Sequence, residues 1–115
     1  MSVDDEVTGP GNPWPLRVAL IGAGRIGSSH AELLANRVPG VELAAIYDPI
    51  EGAAARLAAK LAVPFATHNI DDIWSDPAIH AVAIAAPARS HTDLVVAAAG
   101  AGKHVFVEKP MAVTL

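Results

Sequence analysis

Arg17-Val-Ala-Leu-Ile-Gly22-Ala-Gly24-Arg-Ile-Gly27 is the stretch that decides the fold. An apolar run of this length, bounded by turn residues, has the pattern of a strand buried on both faces. It breaks directly into glycines spaced G-x-G-x-x-G. Each glycine has its own task in a strand–turn–helix unit. Gly22 permits the tight turn, Gly24 lets main chain approach a diphosphate, and Gly27 lets the next helix lie close to the sheet. That helix aims unpaired N–H groups and the positive end of its dipole at the same point. Ordinary glycine-rich turns share the spacing, so its meaning depends on the rest of the chain.

Outward from this stretch, strands and helices alternate. Leu16–Ile21 is the first strand, and a helix is expected from about Ile26 to Asn36 with Ile26, Leu33 and Leu34 facing inward. Pro39 and Gly40 stop it. Val41–Tyr47 is the second strand, closed by Asp48-Pro49; Ala54, Leu57, Ala58 and Leu61 then recur at helical spacing. Residues 63–66 are expected to form a short third strand, with Pro64 marking a strand start or a sheet edge. Residues 69–75 are expected to be a short helix that buries Ile70, Ile73 and Trp74. Ala81–Ala86 is wholly apolar and suits a central strand. Ser90-His-Thr-Asp93 has the S-x-x-D form of a helix-capping box. The helix it starts carries His91, Leu94, Val95 and Ala98 on one face and ends at Gly100 and Gly102. His104–Val107 is the fifth strand. Five strands alternating with helices imply an α/β fold, a doubly wound parallel sheet in the order 3-2-1-4-5. Residues 16–115 form this domain, and residues 1–15, dense in Gly and Pro, are expected to be a flexible tail.

Composition narrows the function classes. With 115 residues and 52% hydrophobic content, the chain suits one domain with a real core. A net charge of −4 argues against nucleic-acid or anionic-membrane partners. The absence of cysteine excludes disulfides, thiolate metal sites and cysteine nucleophiles. No metal centre is expected. The N-terminus lacks a signal-peptide pattern and no apolar run could span a bilayer, so a cytoplasmic setting is expected.

Four polar signals fall just after four strands: Gly22–Gly27, Asp48, Pro87–His91 and Glu108-Lys109-Pro110. In a parallel sheet these positions share one edge, where ligands bind. Asp48 stands about 20 residues beyond the glycines, the spacing of a carboxylate that accepts from both hydroxyls of an adenosine ribose. Such a carboxylate repels a 2′-phosphate, which favours NAD over NADP. Asp-Pro is equally a turn initiator. Arg25 suits either the diphosphate or a 2′-phosphate. Lys109 is the candidate for polar chemistry near the reacting end, with Glu108 able to orient it; an isolated lysine is otherwise a solvated charge. His91 alone would be a histidine on a helix face.

These motifs together resemble the N-terminal domain of the Gfo/Idh/MocA oxidoreductases, the glucose–fructose oxidoreductase and inositol 2-dehydrogenase family. The resemblance rests on Gly22-Ala-Gly24-Arg-Ile-Gly27-Ser-Ser-His30, Tyr47-Asp48, Ala86-Pro87-Ala-Arg-Ser-His91 and Gly102-Lys-His-Val-Phe-Val-Glu108-Lys109-Pro110. It implies that Gly22, Ala23, Gly24, Arg25, Ile26 and Gly27 hold the diphosphate and that Asp48 holds the adenosine ribose. Pro87 and His91 would line the cofactor cleft, with Glu108, Lys109 and Pro110 at the nicotinamide and the substrate. It implies hydride transfer between NAD and a sugar or cyclitol hydroxyl, most like inositol 2-dehydrogenase, in a homo-oligomeric full-length form. In the family a second domain supplies the substrate pocket and an Asp/His pair. This sequence stops at Leu115, so the expectation for the chain alone is NAD binding without turnover. Two other classes remain: a stand-alone, non-catalytic nucleotide-sensing module, and a methyltransferase using S-adenosylmethionine, against which the third glycine and Glu108-Lys109-Pro110 speak.

Overall fold

The computed structural model describes residues 15–36, 39–86 and 90–107, with Ile26 and Val107 described by main chain alone. The elements are β1 (Leu16–Ile21), α1 (Arg25–Asn36), β2 (Val41–Tyr47), α2 (Ala53–Leu61), β3 (Phe65–Thr67), α3 (Asp71–Trp74), β4 (Ala81–Ile84), α4 (His91–Gly100) and β5 (His104–Val107). All five strands are parallel in the order β3-β2-β1-β4-β5. The expected doubly wound sheet is therefore present, and every strand's carboxyl end lies along one edge.

The core has two halves, one on each face of the sheet. Leu20, Leu43 and Ile46 pack with Ala31 of α1 and with Ala54, Leu57 and Ala58 of α2. Ala19, Ile21, Ala45, Val82 and Ile84 pack with Ile73 of α3 and Ala98 of α4. Small residues at the helix contacts let helix and sheet approach closely. The phase of β2 is reset by a bulge: Val18 pairs with Leu43 but Ala19 pairs with Ala45, leaving Ala44 extra. This insertion is what puts Leu43 and Ile46 on one face and Ala45 and Tyr47 on the other.

The far edge of the sheet, away from the strand carboxyl ends, is closed by polar groups. The Arg17 N–H donates to Nδ1 of His80 at 3.0 Å. The His80 N–H donates to the Arg17 carbonyl at 2.9 Å, and the His104 N–H to the His80 carbonyl at 3.0 Å. Lys103 is buried, and its Nζ donates to the carbonyls of Asp76 and Ile79, both at 2.8 Å. Burial pushes the Lys103 amine below the usual lysine range, with Asp76 opposing.

Several expectations need correction. Leu33 does not face inward: it is 46% exposed, and the inward row of α1 is Gly27, Ala31 and Leu34, at the i, i+4, i+7 spacing of one helix face. The third strand falls on 65–67 rather than 63–66, as the edge partner of β2. The fourth ends at Ile84 rather than Ala86, and α3 spans 71–74 rather than 69–75. The Ser90–Asp93 capping box does not form. Ser90 has φ −95 and ψ −7, a helical conformation, and makes no side-chain cap bond; a capping serine needs extended backbone to reach the N–H groups ahead of it. The tail at 1–14, and with it Trp14, lies outside the described residues, as do Arg37 and Val38.

Candidate cofactor site

The glycine loop leaves β1 through Gly22, whose φ of +111 only glycine adopts without strain. A Cβ there would also stand 2.9 Å from the Ala85 carbonyl oxygen. Gly27 lies in the first turn of α1, so close to the loop that a Cβ would drive into the Gly22 carbonyl. Packing within the protein thus explains two of the glycines. Gly24 is different: a Cβ there would meet nothing within 4 Å. Its bare main chain faces open space at the start of α1, where unpaired N–H groups and the helix dipole favour an anion. The loop fits a diphosphate on this ground.

Asp48 follows β2 directly and is only 8% exposed. Its Oδ2 accepts the Ala23 N–H at 2.8 Å and its Oδ1 accepts the Ile50 N–H at 2.9 Å. The second contact is the local turn that Asp-Pro favours. The first ties the carboxylate to the glycine loop 25 residues away in the chain. The turn role and a ribose role are compatible, because two carboxylate oxygens offer about four acceptor sites and two are used.

Between these elements lies a cleft of about 740 Å³. Its lining includes Gly22, Gly24, Arg25 and Asp48, together with Ile21, Tyr47, Pro49, Ile50, Ala85, Ala86, Ser90 and Leu94. Ile50, in this lining, is 66% exposed, an apolar side chain left uncovered. The Tyr47 phenol is pushed above the usual tyrosine range, by burial first and by the Asp48 charge second. Sequence reasoning missed Ile50 and Leu94, and it quoted Tyr47 without a role. An apolar residue just past a strand end and a tyrosine before the acid were the available signals.

His91 has its Nε2 2.8 Å from the Ala86 carbonyl oxygen. The carbonyl can only accept, so Nε2 carries the proton and the ring fastens the end of β4 to the start of α4. Ile26 lies in the first turn of α1. Pro87, Glu108, Lys109 and Pro110 lie outside the described residues. Among the described residues no three His, Asp or Glu side chains gather as a metal site, and no helix is long and apolar enough to cross a membrane.

A parallel sheet whose order reverses at β1 and β4, with a glycine-lined cleft there and an acid ending β2, defines a dinucleotide-binding domain. The chain belongs to the GFO_IDH_MocA oxidoreductase family, whose model, described as an NAD-binding Rossmann fold, matches residues 16–115. NAD is the cofactor of this domain. Among curated relatives it is 38% identical over 100 residues to a Bacillus subtilis scyllo-inositol 2-dehydrogenase (NAD(+)), covering 87% of this chain and 29% of that protein. It is 41% identical over 100 residues to an inositol 2-dehydrogenase of Salmonella typhimurium, covering 86% of this chain and 30% of that protein. The structure resembles that of Lactobacillus casei scyllo-inositol dehydrogenase with bound NAD(H) and scyllo-inositol. That match has a TM-score of 0.76 and 30% identity, covering 84% of this chain and 28% of that one. The chain therefore spans about three tenths of the length of the relatives it matches.

Proposed function

We propose that this domain is the cofactor half of an NAD-dependent dehydrogenase that oxidises a cyclitol or sugar hydroxyl. The observation that carries the reading is the cleft, whose lining includes both Gly24, open to an anion, and Asp48, buried just after β2. The Gly22–Gly27 loop holds the diphosphate through main-chain N–H groups, with Arg25, exposed at the cleft wall, adding positive charge. Asp48 accepts from the ribose diol with its remaining lone pairs and disfavours a 2′-phosphate, so NAD is preferred to NADP. His91 keeps the β4–α4 corner closed beside the cleft.

The bound cofactor supplies a hydride acceptor at C4 of nicotinamide. Held by the Gly22–Gly27 loop and Asp48, it would accept the hydride from the carbon bearing the substrate hydroxyl, while the hydroxyl proton would pass to a base, leaving a carbonyl. Lys109, with Glu108 and Pro110, is assigned to this end by family resemblance, where a lysine can donate to the nicotinamide ribose or to the substrate hydroxyl. Pro87 is assigned to the cleft on the same ground. The inositol-dehydrogenase relatives support a cyclitol substrate. The 115-residue chain alone binds NAD without turnover, the aligned stretch being 29–30% of those relatives. A substrate-binding second domain and homo-oligomerisation belong to the whole protein in this reading, and the cytoplasm is its setting.

Calorimetric titration of the chain with NAD, NADP and S-adenosylmethionine tests the proposal. NAD is expected to bind tightest. Preference for S-adenosylmethionine, or binding of none of the three, would overturn it. A dehydrogenase rate with inositol from this chain alone would overturn the statement that it does not turn over.

A further inference from the structure

Tyr47 occupies its place in the cleft because of the bulge at Ala44. Continuing the alternation from Leu43 without the inserted residue would turn position 47 to the α1/α2 face; with it, the ring packs against the core that contains Ala45 and Ile73. The phenol is thus anchored along its ring and still lines the cleft. Among the described residues its hydroxyl has no hydrogen-bond partner. The residue before it in importance for the ligand is also its neighbour in the chain: Asp48, which holds the ribose in the function proposed above. A base attached to that ribose would share the cleft with apolar Ile50 and Leu94, which suit the faces of a flat ring. A phenol is protonated at neutral pH, and burial and the Asp48 charge push its titration higher still, so it is available as a donor.

We propose that the Tyr47 hydroxyl donates a hydrogen bond to N1 of the adenine ring, making Tyr47 the residue that selects the base of the dinucleotide. The inference rests on the NAD reading. Adenine presents an unprotonated N1. A 1-deazaadenine ring carries a C–H there and can neither accept from the phenol nor donate strongly to its oxygen. A site built around such a bond rejects the analogue that cannot make it.

The test is calorimetric titration of the 115-residue chain and of its Tyr47→Phe variant with NAD and with the 1-deazaadenine analogue of NAD. The native chain is expected to favour NAD about 5- to 10-fold, the scale of one hydrogen bond. Tyr47→Phe is expected to lose about that factor for NAD and to leave the analogue's affinity unchanged. Equal affinities in the native chain, or a variant that keeps the preference, would overturn the inference. So would a variant that weakens both nucleotides together, the mark of a packing role alone. Failure of the native chain to bind either nucleotide would instead sink the NAD reading and this inference with it. Should the variant not fold, the native chain still decides: Tyr47 is the one tyrosine of the sequence, and its ring Cζ resonance is expected to move with NAD and not with the analogue. An unmoved resonance, or one that moves equally with both, would overturn the inference.

Discussion

The main-chain N–H of Ala23 donates to Oδ2 of Asp48 at 2.8 Å, so the glycine loop and the acid that follows β2 are tied directly together. The same carboxylate accepts from Ile50. A change at Asp48 therefore acts on both fold and ligand, and the two effects can be separated. Asp48→Ala leaves two N–H groups without an acceptor and is expected to cost about 1–2 kcal/mol of stability, read by chemical denaturation. It is expected to weaken NAD roughly 10-fold or more, the loss of hydrogen bonds to a charged group, while NADP affinity holds or rises. Parallel loss of both nucleotides would show that Asp48 shapes the loop and does not read the ribose.

Gly24 and Gly27 give opposite expectations although they share one motif. Gly27→Ala drives a methyl into the Gly22 carbonyl. Overpacking costs about 1–3 kcal/mol or more, which outweighs the roughly 1 kcal/mol that alanine gains over glycine in a helix. Gly24→Ala meets no protein atom within 4 Å, so its melting temperature is expected to stay within a few degrees of the native value. The methyl would occupy the space where main chain and diphosphate meet, and NAD affinity is expected to fall more than 10-fold. Thermal melts and titrations on both variants check the pair. A Gly24→Ala protein that binds NAD normally would move the diphosphate elsewhere.

The sheet order was legible in the sequence because each strand is short, apolar and followed by a turn residue, and because right-handed crossovers leave few topologies. Asp48 and the glycines were legible because strand ends carry their own punctuation. Leu33 departs from the expectation because helical phase, and not apolar identity, decides what is buried: Ala31 and Gly27 are less hydrophobic but lie on the buried row. The face of Tyr47 could not be read, since a strand's alternation does not reveal a bulge, and one extra residue at Ala44 inverts everything after it. Lys103 reads as a surface charge from sequence. Its burial depends on two carbonyls contributed by the α3–β4 connection, far away in the chain.

Ala62 ends α2 with φ 58 and ψ 37, the one non-glycine residue with positive φ among those described. The conformation lets the Ala62 and Val63 N–H groups reach the Ala58 carbonyl and closes the helix. An alanine held left-handed costs about 1–2 kcal/mol. Glycine removes that cost but adds chain entropy to the unfolded state, about 0.5–1 kcal/mol. Ala62 is exposed, so its methyl contributes no packing. Ala62→Gly is expected to stabilise by up to about 1 kcal/mol, seen as a melting temperature a few degrees higher. A lower melting temperature would mean that α2 ends differently in solution.

His80 gives the fold a sensitivity to acid at the edge opposite the cleft. Its Nδ1 accepts the Arg17 N–H at 3.0 Å, which requires that nitrogen to be unprotonated. Burial pushes the ring below the usual histidine range, and the positive charges of Arg17, Lys103 and His104 push the same way. With the folded value below the ordinary one near 6.5, the unfolded chain takes up the proton first as pH falls. The stability His80 contributes is complete above about pH 6.5 and is lost as pH drops through the lower folded value. His80→Gln keeps a side-chain acceptor but removes the titration. The expected result is a native chain whose unfolding free energy falls more steeply from pH 7 to pH 5 than that of the variant. The other four histidines are common to both proteins and, apart from His104, whose charge acts on His80, cancel in the difference. Equal slopes would mean that the Arg17 N–H does not depend on His80. A steeper slope in the variant would reverse the sign and place the acid sensitivity elsewhere.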